Sequence, residues 1–141
     1  MLCLCIGMSK EWLSRAQRYC LDGHIGLAIQ HLEQAVAQGE ECPEICKELA
    51  RLSLAINEVR AFSNWCHEAI RLSPADAEPH LMIGRFLSAS ARWTEALESL
   101  REASRLEFAG AAMRSETESL LRNAEREYAA WARNRGNSNL G

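Results

Sequence analysis

Six cysteines and four histidines are the side chains of this sequence best suited to metal or nucleophilic chemistry. Cys3, Cys5, Cys20, Cys42, Cys46 and Cys66 all lie in the first half. Structural zinc normally takes two close ligand pairs. Here one pair is present, Cys42 and Cys46, with Pro43 opening a helix inside it, while His24, His31, His67 and His80 stand elsewhere. No metal site and no cofactor are therefore expected. A disulfide scaffold belongs to a smaller chain in an oxidising compartment. The apolar start MLCLCIGM is short and has no basic residue before it, so it does not read as a secretory signal. Reduced thiols and a cytoplasmic location are expected. Cys66 and His67 are neighbours, but consecutive helical residues do not face each other, so they do not form a catalytic pair. Glu40 with Glu41, and Glu116 with Glu118, read as solvated charge near helix starts. No nucleophile elbow, phosphate loop or dinucleotide fingerprint occurs. No catalytic residue is expected, and the chain does not read as an enzyme.

The elements that must position any site follow from composition. The 141 residues suit one domain, and 48% hydrophobic with 25% charged residues is an ordinary globular balance. Alanine, leucine, glutamate and arginine favour helix, and only Val36 and Val59 represent valine. A formal charge of −3 supplies no basic field for nucleic acid, and no apolar run approaches a membrane span. Trp12, Trp65, Trp93 and Trp131 are spread along the chain and read as packing rather than a stacking platform for bases.

An offset of 34 residues aligns the chain with itself. Ala16, Ala50 and Gly84 share one column; Ala35, Ala69 and Ala103 another; Leu32, Cys66 and Leu100 a third; Ile25, Val59 and Trp93 a fourth. Apolar spacing of three and four predicts helices over 9–22, 25–38, 43–56, 59–72, 77–90, 93–107 and 111–135. Gly23 is expected to cap the first helix in the left-handed region, with Asn57 in the same role one period later. Cys46 shares a column with Trp12 and His80, so Cys46 and Cys66 are expected in the core.

These columns resemble the tetratricopeptide repeat. Trp12, Ala16, Tyr19, Ala28, Leu32 and Ala35 occupy the motif positions of a first unit (9–42). Leu49, Ala50, Cys66, Ala69 and Pro74 do so in a second (43–76), and Ile83, Gly84, Leu87, Ala96, Leu100 and Ala103 in a third (77–110). The second unit departs at Phe62, where the motif has a small residue, and at Ser53, where it has a large one. The resemblance implies an all-α fold, a right-handed α-solenoid of three antiparallel helix pairs with a long C-terminal helix. Residues 1–8 are expected as an N-terminal tail, 111–135 as a capping helix and 136–141 as a frayed end.

The resemblance also implies a concave groove lined by the first helix of each pair, where a protein or peptide partner binds. Phase from the small column assigns Leu13, Gln17, Lys47, Arg51, Leu81, Met82 and Arg85 to it. Arg51 and Arg85 are expected as polar anchors for a partner with acidic groups, with Leu13, Leu81 and Met82 as apolar contacts. The lysine–asparagine clamp of the family's chaperone-binding members is missing, since Leu13, Gln17, Glu48, Glu78 and Met82 stand at those positions. The leading functional expectation is a non-catalytic interaction module or adaptor. A small secretion-type chaperone holding a partner protein and a metal-binding accessory protein are the alternatives. Neither nucleic acid nor membrane insertion is expected, and the sequence leaves the oligomeric state open.

Overall fold

The computed structural model describes residues 2–106, 108 and 110–138, and the side chains of 8–106, 108 and 110–137. Among the described residues there are seven helices and no strand: α1 (Leu2–Leu21), α2 (Ile25–Ala37), α3 (Pro43–Ala55), α4 (Val59–Leu72), α5 (Glu78–Ala89), α6 (Trp93–Arg105) and α7 (Ala111–Ser138). They fall into two compact units, Met1–Pro74 and Ala75–Gly141. The single repeat domain expected over 9–110 is thus divided close to the boundary between its second and third repeats. Local chemistry suits a break there, because α4 stops at Leu72 and Pro74 has no N–H with which to extend it.

In the first unit, α1 packs on α2, α2 on α3 and α3 on α4. Ala16, Ala28, Leu32, Ala35, Ile45 and Leu49 form its centre, with Trp12, Tyr19 and Trp65 packed around them. The small columns explain the close approach of these helices: Ala16, Ala28, Ala35, Ala50 and Ala69 are all buried. Phe62 and Ser53 are buried as well, so the inverted pair of sizes in the second repeat lies wholly inside the unit. α1 starts at Leu2, not at Ser9, which corrects the expected tail over 1–8. No proline interrupts this stretch, and leucine and methionine favour continued helix. The backbone of Cys3 and Cys5 belongs to α1, and their side chains lie outside the described set.

One turn recurs at the repeat period after α1, α3 and α5, and the same pair of bonds also closes α2 at Gly39 (φ +92°). His24 N–H donates to Tyr19 O at 2.8 Å and Gly23 N–H to Cys20 O at 3.1 Å. One period on, Glu58 N–H donates to Ser53 O at 2.8 Å and Asn57 N–H to Leu54 O at 3.0 Å; the next copy uses Arg92 to Leu87 at 2.9 Å and Ala91 to Ser88 at 3.1 Å. These paired bonds are Schellman motifs, which need a left-handed residue after the helix. Gly23 (φ +81°), Asn57 (φ +64°) and Ala91 (φ +57°) supply it. Ala91 is the costly member, because its Cβ crowds the carbonyl by about 1–2 kcal/mol. Ala91→Gly is expected to raise stability by roughly 0.5–1 kcal/mol after the added freedom of the unfolded chain is counted. A denaturant titration checks this, and a lowered midpoint would show that the site tolerates alanine without strain.

In the second unit, α5 and α6 form a pair and α7 packs on both. Gly84 lets α5 reach α6: a Cβ there would lie 2.5 Å from Leu100 Cδ2 and 2.7 Å from Cγ. α7 contributes Ala124 to a core of Ala77, Leu81, Leu97, Leu100 and Ala103, with Met113, Leu120 and Leu121 packed against it. Thr117 is fully buried, and its hydroxyl donates to Met113 O at 2.8 Å. α7 runs through Gly136 to Ser138 rather than ending at Arg135, which shortens the expected frayed end; residues 139–141 lie outside the described set. With 28 residues it is about 42 Å long.

Candidate functional site

Three of the expected groove residues meet in the first unit. Leu13 and Gln17 from α1 and Arg51 from α3 line one cavity with Glu44 and Glu48, about 320 Å³ in volume. The helical period produces this grouping: Leu13 and Gln17 are one turn apart on α1, as are Glu44 and Glu48 on α3. Leu13 is half-buried against the core, so its exposed edge forms an apolar floor beside charged walls. Those charges are already matched. Arg51 Nη1 lies 3.0 Å from Glu48 Oε2, and Lys47 Nζ lies 3.0 Å from Glu44 Oε1. Lys47 has a side chain only 5% exposed, so its ammonium is not presented to a ligand.

The expected groove residues of the third repeat fare differently. Leu81 is fully buried in the core of the second unit, and Met82 is buried too, so neither offers apolar surface to a partner. Lys47, in the same column as Leu81 one period earlier, is buried as well, so this column packs inward in both repeats. Arg85 is about half exposed, but its guanidinium grips Glu116 of α7 through both branches, Nε to Oε1 at 2.5 Å and Nη2 to Oε2 at 2.8 Å. This bond to Arg85 holds the Glu116 carboxyl below its ordinary range and pushes the Arg85 guanidinium up. With its acid constant lowered by folding, Glu116 favours the native state above about pH 4.5 and loses that contribution as pH falls through the lowered value. The pair is solvent-screened, so the effect is that of a surface ion pair, about 0–1 kcal/mol. Glu116 had read as solvated charge; its spacing from Met113 and Leu120, three and four residues away, is the signal that places it beside the packed face of α7.

The arrangement of stacked helix pairs has counterparts among solved structures. No protein-family model and no curated protein matches the chain. It is similar to the P58(IPK) TPR domain, with a TM-score of 0.72 and 18% identity, over 83% of this chain and 32% of that one. It is similar also to the MamA RS-1 ArsTM double mutant, with a TM-score of 0.71 and 16% identity, over 86% of this chain and 66% of that one. A crystal structure of MamA aligns with a TM-score of 0.62 and 18% identity, over 88% and 80%. The chain has the tetratricopeptide-repeat fold.

In this tetratricopeptide-repeat chain the remaining candidates for chemistry are held in packing. Among the described residues no three His, Cys, Asp or Glu side chains converge as a metal-ligand set. His31 lies against Trp12, ring centroids 4.6 Å apart and planes tilted by 44°, and meets Tyr19 edge-on at 5.8 Å. Burial, then the nearby Arg15, lowers its pKa, which favours the neutral ring. His67 Nδ1 lies 2.7 Å from Ser63 O on its own helix, so the imidazole is engaged there, while Cys66 points into the core. Burial pushes the Cys46 thiol up to about 11 and the Cys66 thiol up to about 12; Glu68 and Cys42 add to the first, and Arg51 opposes the second. Both thiols are poor nucleophiles at neutral pH. Both are expected to resist alkylation until the chain unfolds. Their elevated values also set a pH dependence. The unfolded thiols ionise near pH 9 while the folded ones stay protonated, so stability is fully present below about pH 9 and falls between there and pH 11–12. Unfolding titrations from pH 8 to 11 check this: a Cys46→Ala, Cys66→Ala double variant should show a shallower alkaline loss.

Proposed function

We propose that this chain is a non-catalytic protein-interaction module that takes a peptide or partner helix against the α1–α3 face of its first unit. The observation that carries the reading is the convergence of Leu13, Gln17 and Arg51, from two helices, on one cavity. An apolar edge beside hydrogen-bonding and charged groups is the composition of a peptide-binding groove. A carboxylate of the partner would exchange with Glu48 for the Arg51 guanidinium, and an apolar side chain would cover Leu13. Gln17 offers both a donor and an acceptor to the ligand's backbone. The fold supports the same reading, since a groove on the first helices of the pairs suits an extended or helical segment.

The test is selection of binders from a displayed peptide library on the immobilised chain, followed by titration of the winners. Arg51→Glu is expected to weaken binding at least tenfold, because charge-assisted hydrogen bonds contribute about 1.5–3 kcal/mol each. Glu48→Gln is expected to tighten it, by removing a carboxylate that competes with the partner for Arg51. Arg85→Glu should have a small effect, since Glu116 already engages that guanidinium. Selected peptides whose affinity ignores Leu13→Ala, Gln17→Ala and Arg51→Glu would overturn the assignment. Weaker binding by Glu48→Gln would show that the partner presents a base.

A further inference from the structure

The packed stripe of α7 continues past the core that it serves. Leu121, Ala124, Tyr128, Trp131 and Arg135 alternate at spacings of three and four, so they share one face of the helix. The first two are half-buried and buried against α5 and α6. Tyr128 and Trp131 are 37% and 44% exposed. Glu125 lies 3.9 Å from Arg101 of α6, and Trp131 lines a small cavity of about 170 Å³ with Ala91–Glu95, where α6 begins. Beyond that point α7 runs on to Ser138. Its last two turns have no core residue of this unit against them, since every described side chain from 132 to 137 is exposed. The two aromatic rings lie 5.8 Å apart between centroids with planes tilted by 31°, and the Arg135 guanidinium sits 5.0 Å from the Trp131 ring centre.

The stripe leaves an aromatic face partly open, and the charges beside it point to what would cover it. Suppose that a second copy of α7 lies antiparallel, with Tyr128 opposite Trp131 of the second copy. Arg135 then stands level with Ala124 of that copy, one residue from its Glu125 and three from its Glu127. At 1.5 Å of rise per residue both carboxylates are within about 5 Å along the axis, inside the reach of an arginine. Glu127 is exposed and unpaired among the described residues, so it is available for this contact. The two-fold repeats every pair: two Tyr–Trp contacts at the centre and an Arg135–Glu127 ion pair on each side. We infer that the exposed end of α7 is a self-complementary surface through which two copies of this chain associate, antiparallel, around Tyr128 and Trp131. The association is that of a small, reversible contact, sought at roughly 1–100 µM chain.

Sedimentation of the full chain across that concentration range tests it. The wild type should pass from monomer to dimer, and Trp131→Ala should weaken association at least tenfold, as loss of a central tryptophan does. Arg135→Glu alone places acid against acid, and Glu127→Arg alone places base against base; each should remain monomeric with an unchanged helical spectrum. An equimolar mixture of these two variants should dimerise, and so should the double variant in one chain. Because Arg135 and Glu127 are exposed, their variants keep the test open even if Trp131→Ala disturbs folding. A wild type that stays monomeric throughout overturns the inference. A dimer indifferent to all three single changes, or singles that neither mixture nor double variant restores, overturns it equally. Anionic vesicles or single-stranded nucleic acid binding the α7 end without self-association would assign it another occupant and reject the dimer.

Discussion

Phe62→Ala is expected to lower the stability of the chain by about 3–5 kcal/mol, the range for truncating a fully buried phenylalanine. Phe62 is 2% exposed and stands in the column where the flanking repeats carry Ala28 and Ala96. Ser53, also 2% exposed, stands where those repeats have Tyr19 and Leu87, so the sizes at the two columns are inverted together. The two positions lie on either side of the Asn57 turn, on α3 and α4. Large and small have changed places while the core remains filled, as close packing demands. Ser53→Leu alone should also destabilise, by about 1–3 kcal/mol, since extra methyl groups enter a filled space. The combination restores the size pattern of the other repeats. It should recover at least about 1 kcal/mol relative to the sum of the single changes, the signature of residues sharing one space. Denaturant midpoints of the four proteins decide it. Simple additivity would mean that the two side chains do not exchange volume.

Leu100→Ala should be the next largest loss, about 2–5 kcal/mol for a fully buried leucine. Its partner is Gly84, whose missing Cβ is the space that Leu100 occupies, at 2.5–2.7 Å from where that carbon would stand. Gly84→Ala therefore sets two effects against each other. A helical alanine gains about 1 kcal/mol over glycine, while overpacking costs roughly 1–3 kcal/mol. The clash is with two carbons of one branched side chain inside a filled core, so the cost should win and the variant should be less stable. In the Leu100→Ala background the sign should reverse, because the added methyl enters a cavity and the helix gain remains. A thermodynamic cycle over the two positions reads this directly. Gly84→Ala stabilising the wild type would show that α5 and α6 can part without loss.

The two cores were unequally legible. The repeat period located every helix start within a few residues, except at Leu2, where no turn residue marks the true beginning. The left-handed positions Gly23 and Asn57 were readable because each residue type favours that backbone. Ala91, one period later, carries no such mark, and its neighbours impose the conformation through the bonds of Arg92 and Ala91 to α5. In the candidate site, phase along α1 and α3 grouped Leu13, Gln17 and Arg51, which line one cavity, but it also placed Lys47 there, and the fold buried Lys47. On α5 the same reasoning placed Leu81 and Met82 outward, and the fold buried them.

The sequence by itself determined the helices, their 34-residue recurrence, the small columns that let them approach, and the burial of Cys46 and Cys66. These follow from side-chain size and the 3.6-residue turn, which are local properties. The tertiary structure alone decided which helix faces have neighbours. It buried Leu81, Met82 and Lys47, joined Arg85 to Glu116 of α7 and left Trp131 half in solvent. Periodicity defines a stripe on a helix but says nothing of what stands opposite, and burial and ion pairing depend on that opposite surface.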